Sequence, residues 1–184
     1  MSNEWRFVEA MNDAELLSRA REGDQRAFAE LVTRYQHIAW SVCVRITQHH
    51  QDAEDALQIA LASAWQNLGR FRGEAKFGTW FYRIASNSAM ALVRKRKPAQ
   101  SIDDDDDGYV IELADESSAF EERLADQDRL TTALQKLSDE SREALVLAEV
   151  AGLSYAEIAV HQSASLSATK VRIHRAKKKL AELL

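Results

Sequence analysis

The chain has 184 residues, of which 46% are hydrophobic, enough to bury the core of one domain or of two small ones. Six glycines and one proline are few for this length, and β-hairpin turn signals are absent, so the composition predicts an all-α protein. Taken over the whole chain, the formal net charge of −5 argues against a nucleic-acid partner.

The acidic residues are concentrated in one stretch. Residues 103–128 contain twelve acids, five of them consecutive aspartates, against the single base Arg123, which gives this stretch a formal charge of −11. Since the whole chain carries −5, the remainder carries +6, and the objection to nucleic-acid binding is removed. Because like charges resist compaction, we expect a flexible acidic linker over residues 98–118.

Cysteine content and hydropathy indicate the compartment. The one cysteine, Cys43, has no internal disulfide partner and lies in an apolar helical pattern, which predicts a buried, inert thiol in a reducing environment. No stretch approaches the ~20 apolar residues of a membrane span, and no secretion signal is recognisable. We therefore expect a cytoplasmic protein without a membrane partner.

The first half of the chain predicts four helices in one small domain, residues 13–97. Apolar residues recur at helical spacing, residues that cap helices precede each run, and Pro98 follows the last. A loop rich in Arg, Phe and Gly, residues 69–78, separates the third helix from the fourth. The expected helix starts are Asn12, Asp24, Asp52 and Thr79.

The second half predicts another small helical domain, residues 119–184, that ends in a helix-turn-helix. Ser154 and Glu157 have capping-box spacing at the start of one helix, and serines break the helical pattern at 163–165. A last helix is expected from 166 to 183, where the second helix of such a motif would enter the DNA major groove. Its expected apolar side consists of Leu166, Ile173, Ala176 and Leu180.

The other sides of this last helix are strongly basic. Such a run suits DNA phosphates, but it is also typical of a solvated helix end where cations are favoured by the helix dipole. Charge alone therefore leaves both interpretations open. The cations are Lys170, Arg172, Arg175, Lys177, Lys178 and Lys179.

Segments in both halves resemble the extracytoplasmic-function sigma factors of bacterial RNA polymerase, in the family's order and at its separation. The segments similar to sigma region 2 are 52–65 (beginning DAEDALQ), 71–74 (FRGE) and 79–87 (TWFYRIASN). Those similar to sigma region 4 are 137–142, 152–159 (GLSYAEIA) and 170–179 (with HRA). The resemblance implies a protein that binds core RNA polymerase and promoter DNA, directs transcription initiation, and has an anti-sigma factor as a further partner.

The resemblance assigns polymerase binding to Asp52, Asp55 and Gln58. Their spacing of three puts them on one helical face, which in the family docks on the coiled-coil clamp of the largest polymerase subunit. Without the resemblance, acids favoured by the dipole at a helix start would explain the same pattern. The family often has an acid after the glutamine, and Ile59 stands there in this chain.

The resemblance also assigns residues to the two promoter elements. The residues assigned to the −10 element are Phe71, Arg72, Arg83 and Asn87. Together they offer an aromatic wall for a flipped base, an amide for its Watson–Crick edge and cations for phosphates. The turn of the helix-turn-helix has serines where the family often has glycine or proline. The residues assigned to the −35 element are Ser167, Ala168, Lys170, Val171, Arg172 and Arg175. Trp80 is expected in the core, whereas Phe81 and Tyr82 remain without a role.

Two other classes of function compete with this interpretation. A free-standing helix-turn-helix regulator would use the same last helix without any polymerase. An enzyme is not expected, because no pair of nucleophile and base and no phosphate-binding loop occurs, and His49-His50 has no supporting metal ligands. We accordingly expect no catalytic residue, no metal site and no cofactor.

Overall fold

The computed structural model describes residues 11–96 and 128–184, and all regular structure in these two ranges is helical, as the all-α prediction required. The expected linker, residues 98–118, lies outside the described residues. The helices are α1 (Asp13–Arg21), α2 (Gln25–Thr47), α3 (His50–Asn67), a 3-10 turn (Leu68–Arg70), α4 (Phe77–Arg96), α5 (128–135), α6 (Asp139–Glu149), α7 (Tyr155–His161) and α8 (Leu166–Leu183).

Several helices start at the predicted caps. Asn12 forms a capping box with Glu15 before α1, and Ser154 forms one with Glu157 before α7. The carboxylate of Asp24 accepts hydrogen bonds from two backbone N–H groups at the start of α2. These side chains satisfy amide groups that have no partner within the first helical turn.

Two helices begin about two residues before the residue named from the sequence. The third helix, α3, begins at His50 rather than Asp52, because the ring of His49 caps it by accepting from the backbone N–H of Asp52 at 3.3 Å. The fourth, α4, begins at Phe77 rather than Thr79. Phe77 is buried and packs on Phe71, Tyr35 and Trp80, so aromatic packing fixes the first turn.

The N-terminal domain consists of α2, α3 and α4 packed on one another, with α1 lying on α2. The alanines of α3 are fully buried and allow close approach of its neighbours: Ala53, Ala56, Ala60 and Ala64. Cys43 is fully buried on α2, as predicted, and burial raises the pKa of its thiol to about 12. Trp80 packs against the core only in part, whereas Phe81 and Tyr82 are buried in it.

A close contact at the start of α4 yields a test of this packing. A Cβ atom placed on Gly78 would lie 2.7 Å from two ring carbons of Tyr35. That ring cannot easily yield, since its hydroxyl bonds Asp13 and its face packs on Phe77, 5.5 Å away between centroids. We expect Gly78→Ala to lower the free energy of unfolding by about 1–3 kcal/mol, measured by urea denaturation.

Gly69→Ala is the matched control for that substitution. A Cβ at Gly69 meets no atom within 4 Å, so the same chemical change reports only the backbone effect of replacing glycine. Equal stability losses in the two variants would contradict the packing of Tyr35 on Gly78.

The C-terminal domain packs α6, α7 and α8 around Leu147, Ile158 and Ile173, which are fully buried. One expectation about α8 is wrong: Leu166 is exposed rather than on the buried side. Leu166 is the first residue of the helix. The buried position one turn before Ile173 is occupied by Thr169 instead. The two domains touch, because α6 packs against α2 and α4.

Candidate nucleic-acid interface

The first turns of α8 form one wall of a groove. The Ser165 hydroxyl caps the helix by accepting from the N–H of Ala168 at 3.1 Å, so serine replaces the glycine or proline that is common in this turn. Ser163, just before, adopts the left-handed backbone conformation with φ 51°. The groove has a volume of about 480 Å³ and is lined by Ser141, Ser167, Ala168, Val171, Arg172 and Arg175.

Five of the six residues assigned to the −35 element therefore line one groove. The sixth, Lys170, is exposed on the same helix, whereas Thr169 and Ile173 face the core. Such a surface offers guanidinium donors for guanine and small apolar groups for a thymine methyl. The sequence did not reveal Ser141, which α6 contributes to the opposite wall.

Arg172 is oriented by a glutamine that the sequence did not single out. Its guanidinium donates to the side-chain carbonyl of Gln162, just after α7. The amide nitrogen of Gln162 donates in turn to the Glu143 carboxylate at 2.7 Å and to the Glu140 carbonyl at 2.9 Å. A guanidinium fixed at one end loses less entropy when its remaining donors meet a base.

Phe71, assigned to the −10 element, is only 6% exposed. Its ring packs on Trp80 and Phe77, at 5.1 and 6.1 Å between centroids, and the guanidinium carbon of Arg21 lies 5.7 Å from its centroid. Arg21 also donates to the Phe71 carbonyl. Stacking of a base on this ring therefore requires the aromatic cluster to open.

The other residues assigned to the −10 element lie apart from one another. Arg72 is 84% exposed by side chain and lies 3.9 Å from Glu74, while Asn87 is exposed on α4. Arg83 instead points to the other domain, where its Nη2 donates to the Glu157 carbonyl at 3.2 Å. Arg72 and Asn87 are thus exposed to solvent, whereas Arg83 is hydrogen-bonded to the C-terminal domain.

The acidic face of α3, defined as Asp52, Asp55 and Gln58, is largely open to solvent. Asp55 and Gln58 are exposed, and Ile59 beside them is 49% exposed. Asp52 is half-buried, and Arg96 at the end of α4 donates to it at 3.1 Å. The face therefore has a solvent-exposed carboxylate at its centre and a partly neutralised one at its edge.

A buried carboxylate, Glu143 on α6, joins the two domains. It accepts from the Ser86 hydroxyl of α4 at 2.7 Å and from Gln162, and it lies 3.0 Å from Nε2 of His161. Burial alone raises the pKa of Glu143, but hydrogen bonds with His161, Ser86 and Gln162 outweigh it and hold the pKa below its ordinary value of 4.5.

This lowered pKa predicts how stability depends on pH. Because folding lowers the pKa of Glu143, its ionised form stabilises the fold fully above pH 4.5, and this stabilisation is lost as the pH falls through the folded value. The stability advantage of the parent over Glu143→Gln should therefore shrink as the pH falls below 4.5. Urea denaturation at several pH values measures this advantage; one that does not change with pH would contradict the assignment.

Neither a metal cluster nor a membrane-spanning helix is found among the described residues. No group of three or more His, Cys, Asp or Glu side chains within 11–96 and 128–184 is placed to hold a metal ion. In the same ranges, every helix is too short or too polar to cross a bilayer.

Two family models match the chain. The model for sigma-70 region 2 matches residues 31–98, and the model for sigma-70 region 4 matches residues 127–180. The first match includes the acidic face of α3, and the second includes the groove on α8.

Curated relatives match over part of their length. RNA polymerase sigma-H factor of Pseudomonas aeruginosa is 43% identical over 91 residues, 48% of this chain and 47% of that protein. ECF RNA polymerase sigma-E factor of Escherichia coli is 39% identical over 98 residues, 52% of this chain and 51% of that protein. The chain thus spans about half the length of the curated relatives it matches.

Solved structures match over most of their length. CnrH, in complex with the cytosolic domain of CnrY, has a TM-score of 0.68 and 30% identity, covering 93% of this chain and 96% of that one. The sigma factor RpoE of Bartonella quintana, in complex with the anti-sigma factor NepR, has a TM-score of 0.70 and 26% identity, covering 85% and 95%.

Proposed function

Because the chain belongs to the extracytoplasmic-function subfamily of sigma-70 RNA polymerase sigma factors, we propose that it binds core RNA polymerase, recognises the −10 and −35 promoter elements and directs transcription initiation. One observation carries the proposal: a domain with an open acidic face and a domain with a groove along the first turns of α8 match the two sigma regions in order. The protein acts as an initiation factor rather than an enzyme, and it works in the cytoplasm beside the polymerase.

The two domains divide the work. Residues 13–97 bind core polymerase and the −10 element, residues 119–184 bind the −35 element, and the acidic linker, residues 98–118, joins them. Two findings support this division: the acidic face and the exposed Asn87 lie in the first domain, and the groove of α8 lies in the second.

Polymerase binding rests on the acidic face of α3. The carboxylate of Asp55 and the amide of Gln58 are exposed and meet basic side chains of the clamp, with Asp52 at the edge. Ile59 replaces a charge by an exposed apolar side chain, so part of this surface binds by burying apolar area rather than by charge.

The groove of α8 reads the −35 element in the major groove. Arg172 and Arg175 donate to guanine edges, while Ala168 and Val171 contact thymine methyl groups. Ser167 and Lys170 bind phosphates, which positions the helix without reading sequence. Support comes from the shared groove and from the orientation of Arg172 by Gln162.

The −10 element binds around the loop before α4. Asn87 donates to and accepts from the edge of a flipped base, and Arg72 contacts the backbone. Phe71 lies behind that base and stays packed in its aromatic cluster, so it supports the site chiefly by packing. Arg83 joins this surface only after it leaves Glu157.

An anti-sigma factor is a further proposed partner. CnrH is seen with the cytosolic domain of CnrY, and RpoE of Bartonella quintana is seen with the anti-sigma factor NepR. Similarity to both over most of their length supports a protein partner of this class for this chain.

In vitro transcription tests the proposed function. Purified core polymerase is mixed with a library of promoter fragments, with and without the chain. We expect transcripts that start at defined positions only when the chain is present, and the shared sequence upstream identifies both elements. Binding to DNA fragments without any stimulation of core polymerase would instead indicate a free-standing helix-turn-helix regulator.

A further inference from the structure

Gln162 lies between a buried carboxylate and an arginine of the groove on α8. It caps the C-terminal end of α7 and is half-buried. Its amide nitrogen donates to Oε2 of Glu143 at 2.7 Å and to the Glu140 carbonyl at 2.9 Å. Its amide oxygen accepts from Nη1 of Arg172. One side chain thus connects α6 to the helix proposed to read DNA, and all four residues belong to the C-terminal domain.

These neighbours allow the Gln162 amide only one orientation. A backbone carbonyl and an ionised carboxylate accept hydrogen bonds and cannot donate, whereas a guanidinium donates and cannot accept. A rotated amide would place its oxygen against the two acceptors of α6 and its N–H groups against the guanidinium of Arg172. All three hydrogen bonds would then be lost together. The amide oxygen is therefore held toward α8 from both sides.

The carboxylate of Glu143 is itself fixed in place. Glu143 is 6% exposed, and its Oε1 accepts from the Ser86 hydroxyl at 2.7 Å and lies 3.0 Å from Nε2 of His161. The second oxygen, Oε2, meets Gln162. A buried carboxylate is unfavourable unless its hydrogen bonds are made, so each oxygen keeps its neighbours. The contact of Oε2 with Gln162 forms within the C-terminal domain and does not depend on the other one.

Arg172 keeps one edge of its guanidinium for a ligand. Its Nη1 is occupied by Gln162, and within residues 11–96 and 128–184 no other hydrogen bond of this side chain is formed. The group is planar, so the N–H bonds of Nε and Nη2 run in parallel along the remaining edge. Such a pair of donors matches O6 and N7 of guanine in the major groove. No other base presents two acceptors there, so this edge is selective.

We propose that Gln162 is a positioning residue for promoter recognition: held by Glu143, it presents the Nε–Nη2 edge of Arg172 to a guanine of the −35 element and so determines the preference at that base pair. The inference rests on the proposed function, which makes α8 the helix that reads this element. A guanidinium that is oriented before binding loses less side-chain entropy when it meets the base. That advantage is realised only where a guanine is present.

Competition binding to promoter variants measures this preference. The full chain is combined with core polymerase, and the affinity of the complex is measured for a promoter selected by in vitro transcription and for single-base variants of its −35 element. The guanine that Arg172 reads is the one whose replacement has little effect in the Arg172→Ala chain. The preference is the ratio of affinities with and without this guanine, so changes in general DNA binding cancel. Absence of any such guanine would refute the proposal.

Gln162→Met removes the amide at nearly the same side-chain length. We expect the preference for guanine to fall about 2- to 12-fold, which corresponds to the entropy of one long side chain that is no longer held. Gln162→Lys should lower the preference as well, because its ammonium group still donates to Glu143 and to the Glu140 carbonyl but offers Arg172 no acceptor. This second variant keeps the buried carboxylate paired and therefore remains informative if Gln162→Met does not fold.

Two further variants serve as controls. Gln135 is exposed at the end of α5 in the same domain and does not line the groove, so Gln135→Met should leave the preference unchanged. Arg172→Lys keeps the positive charge but lacks the edge with two donors, so the preference should be lost as in Arg172→Ala. If Arg172→Lys kept the preference, a point charge of the kind that binds a phosphate would suffice, and the proposal would be wrong.

A double-mutant cycle distinguishes positioning from a structural role. In the Arg172→Ala chain we expect Gln162→Met to have no further effect on the guanine preference, because no guanidinium remains to be oriented. Circular dichroism verifies that each variant keeps its helix content. Equal weakening for all promoter variants, or a loss of preference of the same size with and without Arg172, would contradict the proposal.

The same measurements separate this inference from the proposed function. A parent chain that brings core polymerase to no promoter would overturn the function, and the inference with it. A parent complex that binds its promoter, but whose guanine preference is unchanged in Gln162→Met and in Gln162→Lys, would overturn the inference alone.

Discussion

Charge reversal at Asp55 should lower the affinity for core RNA polymerase at least about 30-fold. The carboxylate is exposed at the centre of the acidic face of α3, and a lysine there would meet the basic clamp with like charge. The half-buried Asp52 cannot compensate, since Arg96 already binds it. Titration of labelled chain with core polymerase measures the loss, which should be larger at low salt because the interaction is electrostatic.

Glu22→Lys provides the control for this charge reversal. Glu22 is exposed and undergoes the same change of charge, but it lies at the end of α1 rather than on α3. We expect little loss of polymerase affinity in this variant. Equal losses in Glu22→Lys and Asp55→Lys would mean that net charge, rather than the acidic face, governs association.

Replacing Arg172 with alanine should weaken binding to the −35 element about 5- to 150-fold and relax the preference at one base pair. The side chain lines the groove of α8 and is oriented by Gln162, so its loss removes a directed donor. Holoenzyme binding to a selected promoter and to its single-base variants measures both effects.

Two comparisons define the specificity of that effect. Lys178→Ala removes an exposed cation of the same helix that lies outside the groove, so it should weaken binding equally for all sequences. Asn87→Ala should instead impair recognition or opening at the −10 element. If Arg172→Ala and Asn87→Ala lose activity at the same promoter positions, the proposed division of labour between domains is wrong.

Much of the fold follows from local sequence rules. Capping side chains and apolar periodicity act within one or two helical turns, so the starts of α1, α2, α7 and α8 could be predicted. The burial of Cys43 followed from its apolar neighbours in the same helix. That five of the −35 candidates share one face of α8 was predictable too, since residues three or four apart lie on the same side of a helix.

What the sequence did not reveal depends on contacts between distant residues. Phe71 is buried because its loop folds back on Arg21, fifty residues earlier, and onto α4. Ser86 and Glu143 are 57 residues apart, and no local pattern marks a serine as the partner of a carboxylate in another domain. The cap supplied by His49 was missed because histidine is not among the residues preferred at that position.

Footprinting on a selected promoter tests the central claim most directly, namely that this chain reads two DNA elements as a subunit of RNA polymerase. The fragment is probed with the chain alone, with core polymerase alone and with both. We expect protection over the −35 and −10 elements together, about 25 base pairs apart, only when both are present. Protection of the same sequence by the chain alone, unchanged by core polymerase, would contradict the account.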